Sequence, residues 1–261
     1  MADLAHAIAV GGWPALQDVG VDGALSTLRG YLDEVRRVDI NRVGPTGRRD
    51  PDKILQLLRS LARNVATEVA AVELAKDAGG SDGALDDDTV RGYLDALARL
   101  MVVENQPAWG PHMRSKYILR RAPKRHFVDP SLAVAAIGAT PERLLTDLSY
   151  LGLLFESLVV RDLRVYAQAI DAAADVRHYR DSQGNEADAI VVLPDGRWAA
   201  FEIKLGAGRI DSAVATLKTF LKQIDFDRSG PPATRGVIVG QGYAYRRPDG
   251  INVIPIGALG P

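Results

Sequence analysis

The chain has 261 residues, 47% hydrophobic and 25% charged, with a formal net charge of -1, so it is long enough for one or two globular domains. That balance excludes a uniformly basic nucleic-acid binder but leaves room for a local basic patch. The lack of cysteine excludes disulfides, thiolate zinc sites and cysteine nucleophiles, and a reducing, cytoplasmic setting is expected. No apolar run approaches the ~20 residues that cross a bilayer. The N-terminus lacks the basic start of a signal peptide. No membrane partner is expected.

Residues 1–50 read as a helical segment. Gly11-Gly12-Trp13-Pro14 marks a turn, an amphipathic run covers 25–40, and 41–50 reads as a loop. Residues 51–140 follow. Asp50 caps a helix that starts at Pro51, along which Ile54, Leu55, Leu57, Leu58, Leu61 and Ala62 give an apolar face. A second helix is expected over 67–78, stopped by Gly79-Gly80. A third follows the Asp86-Asp87-Asp88 cluster and carries Val90, Tyr93, Leu94, Leu97 and Met101 at helical spacing. Strand-like stretches at 101–105 and 116–119 complete the pattern of a winged helix-turn-helix.

Residues 141–261 predict a helix over 142–168, a strand near 176–181, a hairpin over 186–205, a helix over 212–224, and strands at 236–239 and 251–256. This order implies a mixed β-sheet flanked by helices, and the chain as a whole an α/β (α+β) fold.

The hairpin carries the chemistry. Its centre is Leu193-Pro194-Asp195-Gly196-Arg197. Proline suits the second position of a type I turn, and glycine the left-handed residue that closes a bulge. A three-residue loop makes Leu193 face Arg197. Counting outward, Asp188 faces Glu202 and Glu186 faces Lys204, all on one side of the sheet. Carboxylates that close repel unless a cation or proton sits between them. Such an oxygen-rich group suits Mg²⁺ or Mn²⁺. The same residues could instead form a solvated cross-strand set of ion pairs. Glu156 weighs against that, because it lies in an apolar run over 151–160 where a carboxylate needs a partner.

A second feature is a basic stretch without acidic residues. It holds Arg114, Lys116, Arg120, Arg121, Lys124 and Arg125, which are candidate contacts to nucleic-acid phosphates. The third helix of 51–140 is a poorer candidate. Its N-terminus carries three aspartates, and helix-turn-helix proteins bring that end to the groove. Trp13, Trp109 and Trp198 read as core or interface residues.

Glu156 on a helix, then Asp188, then Glu202-Ile203-Lys204, resembles the PD-(D/E)xK nuclease superfamily. The resemblance implies a restriction-endonuclease-like fold with Glu156, Asp188, Glu202 and Lys204 as the catalytic set. Asp188, Glu202 and the Ile203 carbonyl would bind the metal, Glu156 would be an outer ligand, and Lys204 would assist hydrolysis. The chain is also similar, over nearly its whole length, to the uncharacterised C-terminal region of bacterial AAA-family ATPases. That similarity runs through Gly11-Gly12-Trp13-Pro14, Tyr31-Leu32-Asp33, Thr89-Val90-Arg91-Gly92-Tyr93-Leu94, the stretch from Lys124 to Asp129, Phe155-Glu156, Tyr179-Arg180-Asp181, Glu186-Ala187-Asp188 and Glu202-Ile203-Lys204-Leu205-Gly206.

Such ATPases carry a P-loop domain. No G-x-x-x-x-G-K-[ST] occurs here, and Gly44-Pro45-Thr46-Gly47-Arg48-Arg49 matches one only superficially. ATP hydrolysis is therefore not expected of this chain, which is read as a fragment or a form without its motor. The expectation is a metal-dependent, nuclease-like domain that processes nucleic acid, with DNA favoured over RNA. Its alternatives are a non-catalytic interaction or regulatory module with a protein partner, and DNA binding without cleavage.

Overall fold

A computed structural model describes residues 1–43, 49–111 and 122–260. The expected strand over 116–119, the candidates Arg114, Lys116, Arg120 and Arg121, and the stretch 44–48 lie outside the described residues. The chain divides into two compact units. One comprises 2–105 with 124–157, the other 106–123 with 158–261 and Met1. The division falls within a helix, past the boundary read at 141.

The helical unit begins with α1 (Ala2–Val10), α2 (Val21–Arg37), α3 (Pro51–Arg63), α4 (Ala71–Gly79) and α5 (Asp87–Arg99). Then come β1 (Val103–Gln106) and β2 (Lys124–Phe127), paired in a two-stranded sheet, α6 (Pro130–Ile137), α7 (Pro141–Thr146) and the start of α8 (Leu148–Ile170). The local signals act as expected at α3. The Asp50 carboxylate accepts from the Asp52 and Lys53 amides, Pro51 opens the helix, and Ile54, Leu57, Leu58 and Leu61 are buried.

Three expectations need correction. Met101 lies beyond the third helix, which ends at Arg99, and is exposed at φ 54. The second helix starts at Ala71 rather than 67, because Thr67 forms an antiparallel bridge with Arg125 of β2. The helix expected over 142–168 is broken at Asp147, whose carboxylate accepts from the Tyr150 amide. Helix α6 was not foreseen. Nearly every residue in it is buried, so it has no polar face and no period to read.

The Gly-Gly-Trp-Pro turn docks on the start of α6. The Gly12 amide donates to Asp129, the α6 cap, and the Trp13 indole donates to Ser131. Gly11 sits at φ 77, and a Cβ there would overlap the Ser131 and Asp129 side chains, so no other residue fits.

The sheet unit contains β3 (Asp175–Arg180), β4 (Glu186–Val192), β5 (Trp198–Lys204), α9 (Ile210–Lys222), α10 (Phe226–Ser229), β6 (Thr234–Val239), β7 (Tyr245–Arg246) and β8 (Asn252–Pro255). The strand order is β3-β4-β5-β6-β8-β7. Strands β3, β4 and β5 run antiparallel, β5, β6 and β8 parallel, and β7 antiparallel to β8. The parallel step from β5 to β6 needs a crossover, and α9 supplies it. Its Val214, Leu217 and Phe220 pack with Ile190, Trp198, Ala200 and Val237. Trp109 stacks on Trp198 with ring centroids 4.8 Å apart, so both tryptophans are core residues. The end of α8 lines a small hollow with Val191 and Ala199 on the opposite face. A mixed sheet with helices on both faces is an α/β fold.

Candidate active site

The turn sets the register. The Leu193 amide donates to the Arg197 carbonyl, the Gly196 amide donates back to Leu193, and Gly196 lies at φ 89. Pro194, Asp195 and Gly196 thus form the three-residue loop. Ala189 pairs with Phe201, Ile190 with Ala200, Val191 with Ala199 and Val192 with Trp198. Extended by one residue, that register would bring Asp188 opposite Glu202, but the pairing ends at Ala189–Phe201.

The ladder stops there. Between Arg177 and Tyr179 the β3–β4 register shifts by one, so Asp188 and Ala189 together oppose His178. This is a β-bulge, which bends a strand and re-aims a side chain. The amide of Gln106 donates to the carbonyls of both Asp188 and Arg177, at 2.9 and 3.1 Å, tying the two strands together at the bulge. On the other side, Asp188 Oδ2 accepts from the Ile203 amide at 2.8 Å. A side chain replaces what would be the next rung of the ladder.

Three charged groups meet at this opening. Lys204 Nζ lies 2.9 Å from Asp188 Oδ2 and 2.9 Å from Glu202 Oε2. Asp188 is buried and Glu202 has no exposed surface at all. The Glu202 oxygens accept no well-directed hydrogen bond among the described residues, so the Lys204 contact is a bare ion contact.

Burial, reinforced by the negative charge of Asp188, pushes the Glu202 carboxyl well above the usual carboxylate range, with Lys204 opposing. Burial disfavours the Lys204 ammonium, but Asp188 and Glu202 outweigh it and hold Lys204 protonated beyond its ordinary range. Glu186 pairs with Arg180 on the β3 side, while the β4–β5 pairing ends at Ala189–Phe201 and does not reach the expected Glu186–Lys204 pair. Glu186 contributes only a minor upward push on Glu202.

Glu156 belongs to the helical unit, on α8. Its Oε1 lies 2.5 Å from Lys124 Nζ, with both side chains largely buried. Beside this pair, His126 Nδ1 contacts the Ser157 hydroxyl at 3.1 Å. The apolar run over 151–160 did signal a buried acid in need of a partner, and that partner is Lys124. The Arg125 guanidinium donates to the Val69 carbonyl, and burial lowers its pKa. Lys124 and Arg125 are thus engaged inside the unit. Sequence reasoning missed Gln106. Its amide acts 82 positions away on Asp188, and no local pattern marks it.

Among the described residues, no group of three or more His, Cys, Asp or Glu side chains could hold a metal ion. No helix of the described residues is long and apolar enough to cross a membrane. Two family models match. Residues 1–143 match a domain of unknown function, DUF8612. Residues 151–259 match a second, DUF4143, a domain typically found in C-terminal regions of AAA ATPases. Searches of the curated proteins and of the solved structures gave no match. The DUF8612 match covers more than half of the sequence, and the chain belongs to that family.

Proposed function

We propose that in this DUF8612-family chain the sheet unit is a Mg²⁺- or Mn²⁺-dependent phosphodiesterase domain of the PD-(D/E)xK kind, acting on nucleic acid. The observation that carries the reading is Glu202. A carboxylate with no exposure, no well-directed hydrogen bond and another acid beside it is costly to ionise. A divalent cation in place of a proton removes that cost.

The donor set fits such an ion. Mg²⁺ is commonly held by one or two carboxylates and completes its sphere with water and phosphate oxygens. Asp188, Glu202 and the Ile203 carbonyl would hold it, short of the three side-chain ligands of a dedicated metal cage. When bound, it would polarise the phosphate and acidify a water. The chain's own groups do the rest. The Ile203 amide fixes Asp188, the Gln106 amide fixes the bulge that presents it, and the Lys204 ammonium stabilises negative charge on the phosphate. In the PD-(D/E)xK pattern Glu156 would be an outer ligand, yet its close pairing with Lys124 supports a structural role.

A second reading is a non-catalytic interaction or regulatory module. It is favoured by Lys204, whose ammonium already contacts both carboxylates in the place a metal would take. The deciding experiment incubates single- and double-stranded DNA and RNA with the protein, with Mg²⁺, Mn²⁺ or EDTA. Metal-dependent cleavage that falls by about 10²-fold or more in Asp188→Ala and Lys204→Ala is expected. No cleavage, together with no calorimetric binding of Mn²⁺, would sink the hydrolytic reading and leave the second.

A further inference from the structure

The helical unit sorts its exposed arginines into two classes. Away from one face, each is neutralised by a nearby aspartate: Arg37 by Asp33, Arg42 by Asp39, Arg91 by Asp87 and Arg99 by Asp95. Arg29, Arg59, Arg63 and Arg143 are exposed too, but they have no ion-pair partner among the described residues. These four line two open hollows of about 270 and 550 Å³ that share Ile137. Arg29 comes from α2, Arg59 and Arg63 from successive turns of α3, and Arg143 from α7. The acids nearby are already engaged. Asp33 and Asp52 bind Arg36, and Asp147 caps Tyr150.

Four arginines without a direct ion pair, against two aspartates (Asp33 and Asp147) in the same linings, leave these adjoining hollows with a surplus of positive charge that costs self-repulsion. The sequence carries the same mark: Arg59 and Arg63 stand one helical turn apart, with no acid within a turn of either. We infer that these hollows grip the sugar–phosphate backbone of a nucleic acid, with the four guanidiniums as phosphate contacts.

Arginine's planar fork matches phosphate geometry. Charged residues are depleted at the centres of protein–protein interfaces, whereas here arginines from α2, α3 and α7 line both hollows. The site is distinct from the basic stretch over 114–125 and from helix α5, and it does not depend on the proposed hydrolysis.

The test measures binding of a 20-base-pair DNA duplex to the full chain in EDTA, where no metal-dependent cleavage occurs, over a salt series. Four phosphate contacts give a slope of log K against log salt of about -3.6, a loss of about 150-fold between 50 and 200 mM. Arg59→Ala/Arg63→Ala removes about half of that slope and loses only about 12-fold over the same range. Arg91→Ala/Arg99→Ala, on α5, leaves the slope as in wild type. All the replaced side chains are exposed, and circular dichroism checks that each variant is folded. Three results overturn the inference: no binding by the wild type, an unchanged slope in the α3 variant, or competition by poly-glutamate as strong as by unlabelled DNA. Because no metal is present, failure here leaves the cleavage assay untouched, and failure of cleavage leaves this result standing.

Discussion

Replacing Lys204 with methionine keeps most of the side chain's volume and removes its charge. Each of its two carboxylate contacts is 2.9 Å long. At an effective dielectric of ~20 this corresponds to a gross attraction of about 6 kcal/mol per contact. Desolvation of the ammonium and repulsion between the two acids offset most of it. The remainder follows from experience with buried pairs: removing one partner costs about 3–5 kcal/mol, because a buried charge is left uncompensated.

The loss must also depend on pH. The folded-state pKa of Glu202 is raised, so its neutral form favours the fold below the ordinary carboxylate range. That contribution is lost as pH rises through the raised value. Without Lys204 the push on Glu202 is stronger, so the deficit of Lys204→Met relative to wild type grows from pH 5 to pH 8. Urea unfolding at both pH values measures it, and adding Mg²⁺ or Mn²⁺ should restore stability if the acids bind it. A deficit below about 1 kcal/mol, equal at both pH values, would refute the claim that a buried, under-compensated acid pair sits here.

Two further outcomes are expected. Gln106→Leu removes the amide donor to the Asp188 and Arg177 carbonyls and should cost about 1–3 kcal/mol in all, with a weaker Mn²⁺ isotherm because the Gln106 amide no longer fixes the bulge at Asp188; destabilisation with unchanged Mn²⁺ affinity would confine Gln106 to structure. Gly11→Ala forces a side chain into a positive-φ position against Asp129 and Ser131 and should lower stability by about 1–3 kcal/mol, whereas an unchanged thermal midpoint would mean that the turn does not dock on α6.

Much of the candidate site was legible because its geometry is local. Pro194, Asp195 and Gly196 fix the loop length, loop length fixes the register as far as Ala189–Phe201, and just beyond it Lys204 contacts both Asp188 and Glu202. The helix cap at Asp50 and the start at Pro51 were legible for the same reason. Glu156 was half legible. An acid in an apolar run demands a partner, but nothing in that run names Lys124, which lies on β2.

What the sequence determined alone is therefore what neighbouring residues enforce on one another: turn type, strand register, caps and the α/β class. The tertiary structure decided which distant groups meet. It set the bulge at Asp188–Ala189 and the Gln106 amide that holds it. It also set the parallel order of β5, β6 and β8, and the burial that makes Glu202 hard to ionise. Hydrogen-bonding and desolvation energies depend on everything that surrounds a group, and the chain brings those surroundings together only when it folds.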